Sequence, residues 1–250
     1  SLATILLRTG VNTKILNGGY KSYRRYVINE LEKLGNKIEF RVICGLTGSG
    51  KTKLLTELNK HGLQTLDLED IAKHYGSLLG QYPSVIQPSQ KQFESNLLVA
   101  MLRLNAEQRV FVESESRKIG NRQIPTAIIK KMRGSKCLWI KMTMEERIDF
   151  LLKEYTHFVK NPERFLNIIG KFENYLVKDK FDQLVDLYKK KHWKDFVRML
   201  LREHYDPSYL KSIGKNFTQI KEAQIFKSEN FSGTPELHCA LAESVSKTFK

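Results

Sequence analysis

The sequence predicts an α/β protein: a mainly parallel sheet flanked by helices, with a helical extension towards the C-terminus. Three observations predict it. A β-rich apolar run, Ile38 to Cys44, stops at a glycine-rich loop and feeds into the helical pattern Leu54, Leu55, Leu58. Further short apolar runs alternate with helical segments, which implies βαβ units with ligand groups gathered at the carboxyl ends of the strands. From Thr143 to about Tyr209 the apolar spacing is helical throughout.

Residues 1–36 read as the end of an upstream domain plus a linker. They comprise a short apolar helix (Leu2, Ile5, Leu6), Gly10, a strand-like Val11 to Leu16, Gly18-Gly19, the basic and aromatic run Tyr20 to Tyr26, and a helical linker from Val27 to Leu34. One helix and one strand cannot bury their own faces, so they must pack on the main domain, on another chain or on residues beyond this sequence.

Residues 37–142 form the core. After the first strand comes a second, Gln64 to Leu68, ending among the acids Asp67, Glu69 and Asp70. A third, Arg109 to Val112, ends at Glu113, and a fourth runs from Cys137 to Met142. Residues 143–214 form the helical extension. Thr143-Met144-Glu145-Glu146 is a capping box, followed by Ile148, Leu151, Leu152, Tyr155 and Phe158 at helical spacing. Further stripes carry Phe165, Ile168, Ile169 and Phe172, then Phe181, Leu184, Leu187 and Tyr188, then Phe196, Leu200 and Leu201, before Asp206-Pro207 breaks the run. Residues 215–250 are a tail with no assignable role.

With 42 Lys+Arg against 27 Asp+Glu, the net charge of +15 attracts polyanions, and nucleic acid is the first partner to expect. The bland alternative is a lysine-rich surface. Cys44, Cys137 and Cys239 are too few and too scattered for a disulfide framework, so a reducing, cytoplasmic setting is expected. No apolar run approaches the ~18 residues of a membrane span. No His falls in an H-E-x-x-H frame and His238-Cys239 is an isolated pair, so zinc is not expected.

Gly45-Leu46-Thr47-Gly48-Ser49-Gly50-Lys51-Thr52 matches G-x-x-x-x-G-K-[ST] in full, which makes the core P-loop NTPase-like. The glycines let backbone N–H groups curl around phosphate oxygens, so Gly45, Thr47, Gly48, Ser49 and Gly50 are expected to bind phosphate. Lys51 reaches the terminal phosphates and Thr52 ligates Mg²⁺. The bare pattern arises by chance in roughly one chain in a hundred of this size, but its place between a strand and an amphipathic helix is an independent check. Glu113, at the end of the third strand, is the expected partner of the metal, with Glu115 in reserve. Arg117 and Lys118 follow and would neutralise charge on a leaving phosphate. Asp67 and Glu69 stand either as outer metal ligands or a base, or as carboxylates that merely complement a helix dipole.

Two segments rest on weaker signals. Gly76-Ser77-Leu78-Leu79-Gly80 with Gln87-Pro88-Ser89-Gln90 reads as a lid, although Ser89-x-x-Gln92 is also a capping box. Arg24 and Arg25, and Lys189, Lys190, Lys191, Trp193 and Lys194, interleave base and aromatic as a groove tracking RNA would; the rival is a lysine-rich helix end.

With these residues in view, the chain resembles the tRNA 2-selenouridine synthase family. The resemblance runs through Gly18 to Arg24, Gly45 to Thr52, Leu66 to Glu69, His74 to Gly80, Gln87 to Glu94, Val110 to Gly120 and His204 to Pro207. It implies an enzyme that acts on 2-thiouridine at the tRNA wobble position, first attaching geranyl to sulfur and then exchanging the S-geranyl group for selenium from selenophosphate. It also implies a rhodanese-like domain ahead of the P-loop domain. Residues 1 to about 26 look like the last helix, strand and Gly-Gly-Tyr of that domain, and the loop with its catalytic cysteine would lie upstream. None of Cys44, Cys137 and Cys239 can replace that cysteine by position. The expectation is therefore that this chain binds geranyl diphosphate at the P-loop with Mg²⁺ and transfers geranyl to tRNA. Selenation would then need a separately encoded rhodanese-like subunit. The competing expectations are an ATP-dependent kinase or NTPase, and a non-catalytic RNA-binding module holding a structural phosphate.

Overall fold

A computed structural model describes residues 2–76, 85–154, 169–228 and 237–249. In chain order its elements are α1 (Leu2–Arg8), α2 (Gly19–Lys37), β1 (Phe40–Cys44), α3 (Lys51–Lys60), β2 (Gln64–Leu66), α4 (Leu68–Ala72), α5 (Gln90–Leu102), β3 (Val110–Glu113), β4 (Lys118–Ile119), β5 (Arg122–Gln123), α6 (Thr126–Arg133), β6 (Lys136–Lys141) and α7 (Met144–Glu154). Then come α8 (Lys178–Lys189), α9 (Trp193–Leu200), α10 (Asp206–Asn216), β7 (Gln224–Lys227) and α11 (Leu237–Phe249).

Five strands form one sheet in the order β2-β3-β1-β6-β7, every neighbouring pair parallel. β1 is central, and all five of its residues are buried, as a parallel strand covered on both faces requires. Its side chains alternate between two clusters. Phe40, Val42 and Cys44 join the apolar faces of α2, α5 and α6, including Val27, Leu31, Phe93, Leu97 and Ile128. Ile43 faces the other way, to Leu54, Leu55 and Leu58 of α3 and Leu241, Ala242 and Val245 of α11. Helices thus cover both faces, and the carboxyl ends of β1, β2 and β3 meet at one rim. The helical extension has its own small core of Phe172, Leu184, Tyr188, Phe196 and Leu200.

Several expected boundaries are corrected. Val11–Leu16 is not a strand: it pairs with nothing among the described residues, and Val11, Ile15 and Leu16 stay about half exposed or more. The basic and aromatic run is helical, because α2 starts at Gly19 and packs through Val27, Leu31 and Gly35. β2 stops at Leu66, where Asp67 turns the chain by capping α4: its Oδ1 accepts from the Asp70 amide at 2.8 Å. Asp206-Pro207 does not end the helical run. Pro207 sits in the first turn of α10, where a missing N–H costs nothing. The segment beyond residue 215 supplies β7, an edge strand of the sheet, and α11, which covers α3. Ser77 to Gly80 of the expected lid, and Tyr155, Phe158, Phe165 and Ile168 of the expected stripes, lie outside the described residues. In its second half the capping box expected as the alternative is present, Ser89 Oγ accepting from the Gln92 amide at 3.2 Å. Among the described residues no helix is long and apolar enough to cross a membrane.

Candidate functional site

The glycine loop joins β1 to α3 at the sheet's carboxyl rim. Gly50, at φ +67°, is the residue before α3, and no side chain caps that helix. Its first N–H groups are left facing outward, which with the helix dipole makes an anion seat. Gly48, Gly50, Lys51 and Thr52 line a cavity of about 430 Å³ together with Glu69, Tyr75, Glu113, Phe150 and Leu151. Lys51 folds back so that Nζ donates to the Gly45 carbonyl at 3.0 Å, within 5.4 Å of the Tyr209 ring.

Later segments brace the loop at three points. Arg147 of α7, 3% exposed, donates to the Thr47 carbonyl at 3.1 Å and grips both carboxylate oxygens of Asp206 at 2.8 Å each. Tyr209 of α10 accepts from the Gly45 amide at 3.0 Å and shares a 2.7 Å hydrogen bond with Ser114 Oγ. His238 of α11 donates from Nε2 to the Ser49 carbonyl at 3.2 Å. The Gly45 amide is thereby kept for the protein itself, and the Ser49 amide is taken within the loop, donating to Leu46 O at 3.1 Å.

Opposite the loop stand three acids. Glu113 ends β3, Glu115 follows it, and Glu69 comes from α4; one carboxylate oxygen from each lies within 4.8 Å of the others. Burial pushes Glu113 up to about 7, against the pull of Lys51 and Thr52. Glu69 rises to about 10, from burial first and then repulsion by Glu113 and Glu115. Glu115 rises to about 8 for the same two reasons. The chemistry of this donor set suits a hard cation: hydroxyl and carboxylate oxygens, with no thiol or imidazole among them.

The structure therefore brings Lys51, Thr52, Glu69 and Glu113 to one cavity, with Glu115 beside it. It does not bring Arg117 and Lys118 there. Both are exposed, and Arg117 lines a different hollow with Gln90, Glu94 and Asn121. Asp67 is occupied with its helix cap. Of the basic residues, Arg24 pairs with Glu94, Arg25 donates to Ser22 Oγ at 3.3 Å, Lys190 pairs with Asp186 at 2.8 Å, and Lys194 with Asp149 at 2.9 Å. Trp193 packs edge-on against Tyr188 and Phe196 in the small core. Lys189 and Lys191 are exposed.

Arg147, Asp206, Tyr209 and His238 were not singled out as site residues from the sequence. Two left a signal: Arg147, as a charge one helical turn before Leu151 on an apolar stripe, and Asp206, which lies in the His204 to Pro207 run that carries the family resemblance.

A glycine loop between the central strand and a helix of a parallel sheet, with acids at the adjoining strand ends, defines a P-loop phosphate-binding domain. Residues 38–176, more than half of the chain, match the family model described as the tRNA 2-selenouridine synthase AAA domain. The chain belongs to the tRNA 2-selenouridine synthase family. It is 36% identical over 151 residues to the tRNA 2-selenouridine synthase of Nitrosomonas europaea, a match covering 59% of this chain and 38% of that protein. Against the Marinobacter nauticus enzyme it is 38% identical over 149 residues, 59% of this chain and 39% of the relative. A longer match, 28% over 260 residues, covers 91% of this chain and 67% of the Shewanella piezotolerans protein. The chain thus spans about two fifths of the first two relatives.

Proposed function

We propose that this chain modifies tRNA: it binds geranyl diphosphate at the P-loop and transfers the geranyl group to the sulfur of wobble 2-thiouridine, on the way to 2-selenouridine. The observation that carries this reading is the composition of the cavity. A P-loop grips phosphate oxygens whatever they are attached to, and here Phe150 and Leu151 of α7 form an apolar wall beside Gly48 that suits a prenyl chain.

In the transfer, a carbon–sulfur bond forms as the carbon–oxygen bond to the diphosphate breaks. The bonding pair leaves with pyrophosphate, and the thiouridine ring releases its N–H proton. Lys51 and the amides around Gly48 and Gly50 lie where negative charge grows on the leaving oxygens. Thr52 and Glu113 would hold Mg²⁺, which when bound supplies further positive charge at the diphosphate. Arg117 and Lys118, exposed beyond Glu115, are assigned to the phosphates of the incoming RNA. So are Lys189 and Lys191.

Calorimetric titration with geranyl diphosphate, ATP and GTP, each with magnesium, tests the reading. Tight binding of geranyl diphosphate alone is expected. Lys51→Ala should lower geranylation of thiolated tRNA a hundredfold or more, as loss of one such donor does. Binding of a nucleotide instead, or a Lys51→Ala variant with normal transfer, would refute it.

Selenium transfer from selenophosphate is assigned to a rhodanese-like unit that brings its own cysteine, since Cys44 and Cys137 are buried and Cys239 only part-exposed. Ile5, Leu7, Ile15 and Leu16, all more than half exposed, give that unit an apolar seat. Complete conversion to selenouridine by the chain alone would exclude this division.

A further inference from the structure

The three acids at the rim of the cavity exceed what the diphosphate reading uses, since that reading needs only Glu113. Their arrangement is specific. Glu69 arrives on α4, Glu113 on the end of β3 and Glu115 two residues later, yet one oxygen of each falls within 4.8 Å of the other two. Oxygens that share one Mg²⁺ at about 2.0–2.1 Å lie no more than about 4.2 Å apart, so a small inward turn of these side chains brings all three to one ion. Glu113 Oε1 is fully buried and has no hydrogen-bond partner among the described residues. An orphaned carboxylate oxygen in the interior requires a partner that the surrounding protein does not supply.

The backbone also keeps this space clear. Gly76 is held at φ +62°, and a Cβ there would come 2.7 Å from Glu69 Oε1 and 3.2 Å from Glu115 Oε2. A larger residue there would be strained at this φ and would push both carboxylates aside. Among the described residues the counter-charge is Lys51, and its ammonium is bonded to the Gly45 carbonyl at 3.0 Å. Three carboxyl groups this close cannot all ionise at low cost, and a divalent ion favours the ionised forms while satisfying the orphaned oxygen.

We propose that Glu69, Glu113 and Glu115 form a seat for an oxygen-preferring divalent cation, Mg²⁺ or Mn²⁺, that fills before any diphosphate is bound. The site lies beside Thr52, so the ion is in place when a phosphate enters. The proposal rests on the diphosphate reading for the use of the ion, but not for its binding.

The test is a titration of the full chain with Mn²⁺ alone, without diphosphate, in which free Mn²⁺ is followed by electron paramagnetic resonance. One ion per chain is expected. Glu69→Gln and Glu115→Gln, which keep shape and remove charge, should each weaken binding roughly tenfold or more while retaining a cooperative melt. If Glu69→Gln does not fold, Glu115→Gln decides. Lys51→Ala should keep the ion and lose geranyl diphosphate. The proposal is overturned if the wild-type chain binds no Mn²⁺ until diphosphate is added, or if the Gln variants bind it as well as the wild type. Either result leaves the diphosphate reading standing when geranyl diphosphate still binds. Tight Mn²⁺ binding without affinity for geranyl diphosphate does the reverse, sustaining the cation seat and removing the proposed function.

Discussion

Gly50 couples the loop's shape to a distant residue. Its φ of +67° belongs to the left-handed region, and a Cβ placed on it would stand 1.9 Å from His238 Nε2. Gly50→Ala therefore adds about 1–2 kcal/mol of backbone strain and also pushes His238 off the Ser49 carbonyl. The expected outcome is a lower melting temperature together with loss of pyrophosphate affinity. His238 has a pH signature of its own. Burial, helped by Lys53, holds its pKa below the usual 6.5, while the Ser49 carbonyl, Glu154 and Glu57 pull it back up. Below about pH 6.5 the unfolded chain takes a proton that the folded chain resists. The stability tied to His238 is thus whole above pH 6.5 and falls as the pH drops towards the folded value. His238→Gln keeps a donor for Ser49 and should flatten part of this acid limb in urea unfolding followed from pH 7 to 5. His204, depressed by burial in the same direction, adds to this limb, whereas Glu113, Glu115 and Glu69, raised by burial, stabilise the fold as the pH falls and oppose it, so the His238 share is read as the difference between variant and wild type. The loop was legible in the sequence because phosphate chemistry fixes each of its letters locally. His238 was not, because its partner lies 189 positions away and no local spacing connects them.

Among the elements, α7 and α10 act on the site through one buried ion pair. Arg147 is 3% exposed, and its guanidinium spans Asp206 and the Thr47 carbonyl. Arg147→Met strands Asp206 and frees the loop, which should lower unfolding stability by about 3–5 kcal/mol and weaken pyrophosphate binding beyond what Asp206→Asn does. Chemical denaturation and calorimetry on both variants check this. The order of strands and helices from β1 to α7 was legible because each long element carries a clear period and a start signal: Thr143 and Glu146 form the capping box as expected, the Thr143 amide donating to Glu146 Oε2 at 2.7 Å. β7 was not legible. It has four residues, of which only Phe226 is buried, too few for an alternation to register. α2 reaches beyond the helical linker expected at Val27 to Leu34: Gly19 and the basic and aromatic run Tyr20 to Tyr26 join it, while its buried contacts, Val27, Leu31 and Gly35, lie further along.

At the scale of the whole molecule, the segment after residue 215 is structural. α11 buries Leu241, Ala242 and Val245 against α3, and Phe226 of β7 joins the same cluster. A chain ended at Glu222 would leave Leu54, Leu58, Leu138 and Ile140 uncovered on that face. It should show no cooperative thermal transition and should bind a hydrophobic dye, whereas the full chain should melt in one step. Such dependence was invisible at the level of motifs, since apolar cover for a sheet face needs only the right volume and leaves no signature.

The three braces on the glycine loop set an order of maturation during synthesis. A nascent polypeptide that has left the ribosome as far as β6 already carries the whole phosphate-gripping signature, but it still lacks Arg147, Tyr209 and His238. Competence to hold an anion should therefore arrive only with α11, and a chain interrupted before it should bind pyrophosphate weakly.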